Sequence, residues 1–260
     1  IQYILDRQRE DGSWDVYYKS EHGDINTTLE CYFALRIYGF DPDDKVLAKA
    51  RKWLIANKWQ EHIRVFTKYW LALFGQWPWA HTPVLPPEIF FLPKWCPFNI
   101  YDFAAWARAT MMPIAILTAR RPIKELPDRL QPDELFPEGR DKVDYRMPNR
   151  SESVFSWSNF FMKLDNMLHG YNRLPVKPFR EEAIKLTLQW ILEHQDEDGA
   201  WGGIQPPWIY AIIVMHVEGF ALDQVNMSRA IDAFNLHWQV KRGEGTMLQA
   251  SESPVWDTFL

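Results

Sequence analysis

A seven-residue pattern that occurs twice constrains the fold more than any other feature of the sequence. Residues 8–14 read QREDGSW and residues 195–201 read QDEDGAW, so both have glutamine first, glycine fifth and tryptophan last. Each follows a segment of helical periodicity, where a glycine can take the positive φ that ends a helix. The glutamine amide can bind free backbone groups there, and the indole can shield it from water. A helix-ending pattern that recurs predicts stacked helical units.

The composition narrows the class of protein. At 260 residues, 47% of them apolar, the chain can bury a sizeable core in one or two domains. Its 14 tryptophans exceed what a core needs, an excess that suits repeat packing, an aromatic cavity or contact with lipid. The net charge of −5, without a basic block, argues against a nucleic-acid partner.

Cysteine usage and hydropathy predict a chain of the reducing cytoplasm. Cys31 and Cys96 belong to no Cys-x-x-Cys pair or histidine cluster, so neither a disulfide scaffold nor a zinc site is predicted. No apolar run reaches the roughly 20 residues of a membrane span, and no signal peptide precedes the first helix. Because the sequence opens and stops inside apolar segments, we expect both ends to be cuts in a longer protein.

The periodicity predicts eight to ten helices and no strand, hence an all-α protein that forms an α/α barrel or a large arc of one. Residues 75–98 hold six prolines and predict an ordered connection, whereas 121–150, rich in proline and charge, predict a partly mobile loop. One helix is predicted over 99–117, with Arg108 expected to pair with a carboxylate. We place an N-terminal domain at 1–240 and interpret 241–260 as the truncated start of a catalytic domain.

The helix predicted over residues 152–171 has a wide aromatic face. Such a face is typical of a core, but this one follows the predicted mobile loop and has basic residues beside it. That setting also fits a monotopic anchor that dips into a bilayer surface. The membrane-contact residues are then Phe155, Trp157, Phe160 and Phe161.

The two patterns resemble the Gln-Trp repeats of the squalene-hopene cyclases, the bacterial class II triterpene cyclases. The resemblance extends over nearly the whole chain, in the family's order and spacing. It is carried further by residues 99–110 (NIYDFAAWARAT), 168–171 (LHGY), 202–208 (GGIQPPW) and 253–258 (SPVWDT).

The resemblance implies the N-terminal part of an enzyme that cyclises squalene, or a similar polyprene, to hopene or hopanol in hopanoid biosynthesis without metal or cofactor. The implied fold is a toroid-type α/α barrel. The implied partners are a membrane surface, reached as a monotopic protein on the cytoplasmic side of the cell membrane, and the C-terminal catalytic domain of the same protein. A homodimer is compatible with this picture.

The resemblance also implies the substrate-binding residues. Those lining or flanking the cavity are Trp106, Trp256, Ile204, Gln205 and Pro206, with Phe103 near the entrance. Aromatic faces stabilise the cations that develop during cyclisation by about 2 kcal/mol each when water is excluded. Gln205 is expected to hold a water near the terminal cation.

The proton donor is expected elsewhere. Class II cyclases use an Asp-x-Asp-Asp motif, and residues 41–44 read DPDD. We interpret these aspartates as helix caps, because exposed carboxyls with a pKa near 4 are poor acids for an alkene. The resemblance places the acid beyond Leu260, so no catalytic residue is predicted here and the chain alone is expected to be inactive. The alternative is a non-catalytic helical module that binds a lipid or a partner, as a split or relic cyclase.

Overall fold

The computed structural model describes residues 1–17, 19–146, 156–243 and 245–251. Most of them are helical, which confirms the predicted all-α class. The α-helices are α1 (Gln2–Asp6), α2 (Ile25–Tyr38), α3 (Lys45–Ala56), α4 (Trp59–His62), α5 (Val65–Leu73), α6 (Ala105–Arg120), α7 (Trp157–Arg173), α8 (Arg180–Glu193), α9 (Gln205–Val217) and α10 (Val225–Asp232). A π-helical turn (Ala233–His237) extends α10, and the strands β1 (Gln239–Arg242) and β2 (Gly245–Leu248) follow it.

Two local predictions are corrected. The helix predicted from residue 99 starts at Ala105, because Asn99 accepts a hydrogen bond from the Tyr101 N–H at 2.9 Å and caps a separate 3-10 turn. The prediction of no strand is wrong, since β1 and β2 form an antiparallel hairpin in which Val240 faces Met247. Gly243, with φ 62°, lies in its turn. The predicted domain boundary at 240 stays a prediction.

The chain divides into two compact units, of which the first comprises Ile1–Pro83 and Ile123–Met162. Its core lies where α2 packs against α3 and α4. Asp24 begins α2 by accepting a hydrogen bond from the Thr27 N–H at 2.8 Å, and Gly39 ends it at φ 111°. The buried side chains include Leu29, Tyr32, Leu35, Leu47, Leu54 and Trp59.

A buried ion pair ties the segment 123–146 to this core. Nε of Arg36 lies 2.7 Å from Oε1 of Glu134, and these side chains are 5% and 16% exposed. The Tyr32 hydroxyl donates to the same carboxylate at 2.7 Å, and Arg36 also donates to the Arg129 carbonyl at 3.0 Å. The loop that was predicted to be partly mobile is therefore anchored to the core in its described part, because the Glu134 carboxylate binds the buried Arg36.

The second unit comprises Val84–Pro122 and Lys163–Leu260. Within it α6 packs against α8 and α9, and the 3-10 turn Pro87–Phe91 packs against α6 and α8. The rings of Trp208 and Phe234 stack, with their centroids 3.8 Å apart. The buried side chains include Met112, Ile116, Ala183, Ile191, Tyr210 and Val214. The described residues of the candidate site all belong to this unit.

The first Gln-Trp turn, residues 8–14, links two helices of the first unit, α1 and α3. Nε2 of Gln8 donates to the Gly12 carbonyl at 3.0 Å and to the Val46 carbonyl, in the first turn of α3, at 2.8 Å. The buried indole of Trp14 donates to the Ile4 carbonyl in α1 at 2.7 Å.

The second Gln-Trp turn, residues 195–201, repeats this geometry in the second unit. Nε2 of Gln195 donates to the carbonyls of Gly199 and Asn226, both at 2.9 Å, and Asn226 lies in the first turn of α10. The indole of Trp201 donates to the Ile191 carbonyl in α8 at 2.7 Å. Each turn thus holds the end of one helix against the start of a helix further along the chain.

Candidate functional site

Two of the predicted substrate-binding residues, Phe103 and Trp106, lie near the start of α6. Phe103 is half-buried in extended backbone, with φ −93° and ψ 148°, and Trp106 lies in the first turn of α6. The Trp106 side chain is 59% exposed, unusually high for a large apolar ring. The structure therefore presents an indole at the start of α6 that the described residues leave largely uncovered.

The second group lies between the second Gln-Trp turn and α9. Gly202 and Gly203 both have φ 64°, which favours glycine, and they turn the chain into Ile204. Ile204 is extended and forms an antiparallel bridge with Ser251. Pro206 is exposed in the first turn of α9, where a missing N–H costs little.

A close approach at Gly202 brings the two groups together. A Cβ atom added to Gly202 would lie 3.6 Å from Cβ of Ala109 and 3.7 Å from Cα of Trp106, which is ordinary van der Waals contact. Since α6 and α9 also pack against each other, Trp106 and residues 204–206 lie at neighbouring helix starts.

Gln205 is fixed by the chain that follows the hairpin. Its backbone N–H donates to the Ala250 carbonyl at 3.2 Å, and its Nε2 donates to the Gln249 carbonyl at 2.7 Å. The carboxamide oxygen makes no hydrogen bond to any residue that the structure describes. The side chain is thus oriented through its nitrogen and keeps an acceptor for a small polar molecule.

Arg108, one turn into α6, does not pair with a carboxylate within the described residues, contrary to the prediction. Its guanidinium carbon lies 5.7 Å from the centroid of the Tyr101 ring, and its buried Nε has no hydrogen-bond partner among those residues. Nζ of Lys94 lies 5.3 Å from the same ring. Tyr101 is therefore the described partner of Arg108, which sequence reasoning missed, although an aromatic ring in the stretch 99–110 is a signal for a cation–π partner.

Two cavities of the structure lie away from these residues. One, of about 310 Å³, is in the first unit and is lined in part by Ile55, Phe136 and Val143. The other, of about 250 Å³, is in the second unit beside Arg121 and Arg180. Neither is lined by Phe103, Trp106 or residues 204–206. Trp256 lies outside the described residues, so the expectation that it shares a hollow with Trp106 stays a prediction.

The three aspartates of residues 41–44 form a surface turn. The Asp44 carboxylate accepts a hydrogen bond from the Asp41 N–H at 3.0 Å, and Asp41 accepts one from the Asp43 N–H at 2.9 Å. Asp44 precedes α3 but makes no side-chain hydrogen bond to its first turn, so it braces the turn instead of capping the helix as predicted. The Asp43 side chain is 82% exposed, which does not suit an acid that must protonate an alkene in a dry site.

The predicted membrane-contact residues lie on α7, a helix of 17 residues of which none is buried. Trp157 is 73% exposed, and Phe160 and Phe161 are 47% and 48% exposed. Their ring centroids lie 5.4–6.1 Å apart, forming one exposed aromatic cluster. These three residues are therefore not in the core of the described chain, the membrane contact stays a prediction, and Phe155 lies outside the described residues. No helix in the described part of the chain is both long and apolar enough to span a bilayer.

A family model described as the squalene-hopene cyclase N-terminal domain matches residues 1–242 of the chain. The relatives with curated descriptions include a squalene–hopene cyclase of Alicyclobacillus acidocaldarius subsp. acidocaldarius, 41% identical over 99% of this chain and 40% of that protein. A squalene hopane cyclase of Aspergillus fumigatus is 35% identical over 100% of this chain and 35% of its own length.

A plant relative broadens the range of products. The dammaradiene synthase of Dryopteris crassirhizoma is 33% identical over 99% of this chain and 37% of its own length. The chain thus spans 35–40% of the length of these three relatives.

Proposed function

This chain belongs to the squalene-hopene cyclase N-terminal domain family, and from that premise we propose that it forms the N-terminal part of an enzyme that cyclises squalene to hopene or hopanol. Its relatives are triterpene cyclases, and two are named for squalene and a hopene or hopane product. We further propose that the reaction is an intramolecular cyclisation started by a proton and that its product is a hopanoid. The substrate is squalene or a polyprene of similar length.

The observation that carries the proposal is the close approach of Gly202, which directly precedes residues 203–206, to the backbone of Trp106. A polyprene cyclisation needs electron-rich rings beside developing cations and a surface that excludes water. Trp106 offers an indole that is 59% exposed, and Ile204 and Pro206 add apolar side chains at the start of the neighbouring helix α9. We assign these side chains, with Phe103, to one wall of a substrate cavity whose other walls belong to the rest of the full protein.

Gln205 is assigned to the end of the reaction. The contacts of its Nε2 with the Gln249 backbone fix the carboxamide, and Oε1 is left to accept a hydrogen bond from water. A water held there is positioned to remove a proton from the final cation, giving an alkene, or to add to it, giving an alcohol. Gln205 acts by positioning this water and is itself neither protonated nor deprotonated.

We assign the proton donor to a segment outside this chain. The aspartates at 41–44 are exposed on a surface turn, which leaves the described residues without an Asp-x-Asp-Asp motif in a dry site. The gene region that follows the codon for Leu260 tests this assignment. An Asp-x-Asp-Asp motif about a hundred residues further on supports the cyclase, and a reading frame that closes without one supports the non-catalytic module.

The product profile of the Trp106→Ala variant tests the site. We expect this variant of the full reading frame, incubated with squalene, to lose turnover or to release partly cyclised hydrocarbons, because one cation-stabilising ring is removed. The matched control is Trp95→Ala, which removes another exposed indole, 84% exposed, that we place outside the cavity. Products unchanged in Trp106→Ala, or changed equally in Trp95→Ala, would contradict the assignment.

We also propose that the enzyme is monotopic on the cytoplasmic side of the cell membrane. The exposed cluster of Trp157, Phe160 and Phe161 supports this, because large exposed apolar patches mark contacts with lipid or protein. An apolar substrate of this kind dissolves in the bilayer, so contact with the membrane gives the enzyme access to it. The alternative, a lipid- or partner-binding module without catalysis, uses the same cluster.

A further inference from the structure

The cavity of about 250 Å³ in the second unit differs chemically from the proposed substrate wall. It is several times larger than the ~30 Å³ that a water molecule occupies in the liquid. Basic side chains from the end of α6, the loop before α8 and the start of α8 line it, over a small apolar floor. Its lining includes Arg120, Arg121, Asn172, Lys177, Arg180 and Glu181.

Two of these arginines are already paired. Arg120 is clamped by the carboxylates of Glu181 and Glu218 through four hydrogen bonds of 2.7–3.1 Å. Nε of Arg180 donates to Glu88 at 2.6 Å, and this arginine is buried. The negative charges around the cavity are therefore committed to Arg120 and Arg180.

Arg121 and Lys177 remain without a carboxylate among the described residues. Nε of Arg121 makes only a long hydrogen bond, 3.4 Å, to the Thr118 carbonyl, and Nζ of Lys177 donates to the Leu174 carbonyl at 2.7 Å. Burial first, then the charges of Arg180 and Arg173, lower the pKa of the Arg121 guanidinium. An arginine stays charged despite such a shift, so the cavity has an excess of positive charge in a chain whose net charge is −5.

Asn172 adds a neutral donor to the same wall. Its Oδ1 accepts a hydrogen bond from Nη2 of Arg180 at 3.0 Å, which identifies its Nδ2 as the donor end of the amide. That Nδ2 is buried and has no acceptor among the described residues. A buried donor without an acceptor is unfavourable, so a ligand that brings an acceptor to Nδ2 is favoured there.

We propose that this cavity is a binding site for a phosphate group, with Arg121, Lys177 and Asn172 as its donors. A phosphate offers several acceptor oxygens and negative charge, which match two unpaired cations and one unpaired amide. Arg121 takes φ 53° as it ends α6, a left-handed conformation that is uncommon outside glycine, and in this position it lines the cavity. The group can come from inorganic phosphate or from the head of an anionic phospholipid.

Titration calorimetry with inorganic phosphate, at constant ionic strength set by chloride, tests the site on the full chain. We expect saturable binding of one phosphate, weakened roughly tenfold in Arg121→Gln because one charge-assisted contact is lost. The control is Lys241→Gln, which removes one charge from an exposed side chain of β1 outside the cavity. Lys177→Gln serves as a second variant, with thermal unfolding of each protein measured alongside.

A second experiment, with lipid vesicles, distinguishes the two sources of phosphate. Cosedimentation is measured with phosphatidylcholine vesicles, with and without added phosphatidic acid, in the presence or absence of inorganic phosphate. If phosphatidic acid increases binding above that to phosphatidylcholine alone, and this increase falls with inorganic phosphate and is lost in Arg121→Gln, the ligand is a lipid headgroup. Saturable phosphate binding that depends on Arg121, without this vesicle effect, identifies the free ion. Absence of saturable binding in the unmodified chain, or an equal loss in Lys241→Gln, overturns the proposal.

Discussion

At the scale of single residues, Gly199 meets two requirements that no other amino acid meets together. Its φ is 95°, and a Cβ atom added to it would collide with the Arg229 carbonyl of α10. Gly12 has the same φ and a Cβ there would lie 2.7 Å from the Lys49 carbonyl carbon of α3. The glycine of each Gln-Trp turn is therefore needed both for its conformation and for the close approach of a helix.

We expect Gly199→Ala to lower the free energy of unfolding by about 2–4 kcal/mol, since strain at positive φ adds to a steric clash. The control is Gly219→Ala, which also has positive φ, 87°, but no atom within 4 Å of the added Cβ. It is expected to cost about 1–2 kcal/mol. Urea unfolding of the two variants measures the difference, and equal losses would show that the clash is absent.

The sequence predicted the Gln-Trp turns themselves but not the distant residues that they contact. The order of Gln, Gly and Trp predicted a helix-ending turn, and the structure shows the amide and indole contacts that make it. The partners of those contacts, Val46 and Asn226, share no local signal with the turns, because they lie 38 and 31 residues away from Gln8 and Gln195. The contact between Gly202 and Trp106 likewise could not be predicted from local sequence patterns.

At the scale of elements, the segment 123–146 shows how a charged stretch becomes ordered. Its composition predicted a mobile loop, because proline and charge usually mean a solvated chain. In the structure one of its carboxylates, Glu134, meets a buried arginine of α2, and the indole of Trp59 donates to the Leu135 carbonyl at 3.3 Å. Periodicity identifies helices from their own sequence, whereas an anchored loop depends on a partner elsewhere in the chain.

We expect Glu134→Ala to destabilise the first unit by about 3–5 kcal/mol, because Arg36 would keep a buried charge without a partner. The matched control is the neighbouring Asp133→Ala. The Asp133 carboxylate pairs with Arg140 at 2.6 Å but is 68% exposed, so its loss should cost less than about 1 kcal/mol. Thermal unfolding followed by circular dichroism distinguishes the two, and a small effect of Glu134→Ala would argue against the buried pair.

At the scale of the whole molecule, the exposed aromatic cluster of α7 is the feature for which we propose a contact with the membrane. Within a soluble core such a face would be covered, yet α7 buries none of its side chains. The sequence predicted the helix and its aromatic face, but periodicity alone does not tell a core face from a membrane face. The exposure of Trp157, Phe160 and Phe161 shows only that they lie outside the core of the described chain, and their contact with a membrane stays a prediction.

We expect Phe160→Ser combined with Phe161→Ser to lower binding to phosphatidylcholine vesicles by at least about tenfold, because each buried Phe contributes about 1.5–3 kcal/mol. The control is Tyr17→Ser combined with Tyr38→Ser, which removes two rings that are 68% and 69% exposed elsewhere in the first unit. Cosedimentation measures the bound fraction. If both double variants bind equally, the cluster is not the lipid contact.

The second Gln-Trp turn contacts a side-chain amide that has no counterpart at the first, and we expect this amide to slow local opening. Nδ2 of Asn226 donates back to Oε1 of Gln195 at 2.8 Å, whereas the equivalent position of the first turn is Val46, which has no such donor. Gln195 and Asn226 lie at the two ends of the segment that contains α9. They are therefore joined by two hydrogen bonds that run in opposite directions. Opening that segment breaks both hydrogen bonds at once, so backbone amides of α9 should exchange with deuterium more slowly than those of α2, where the corresponding contact is the single hydrogen bond from Gln8 to Val46.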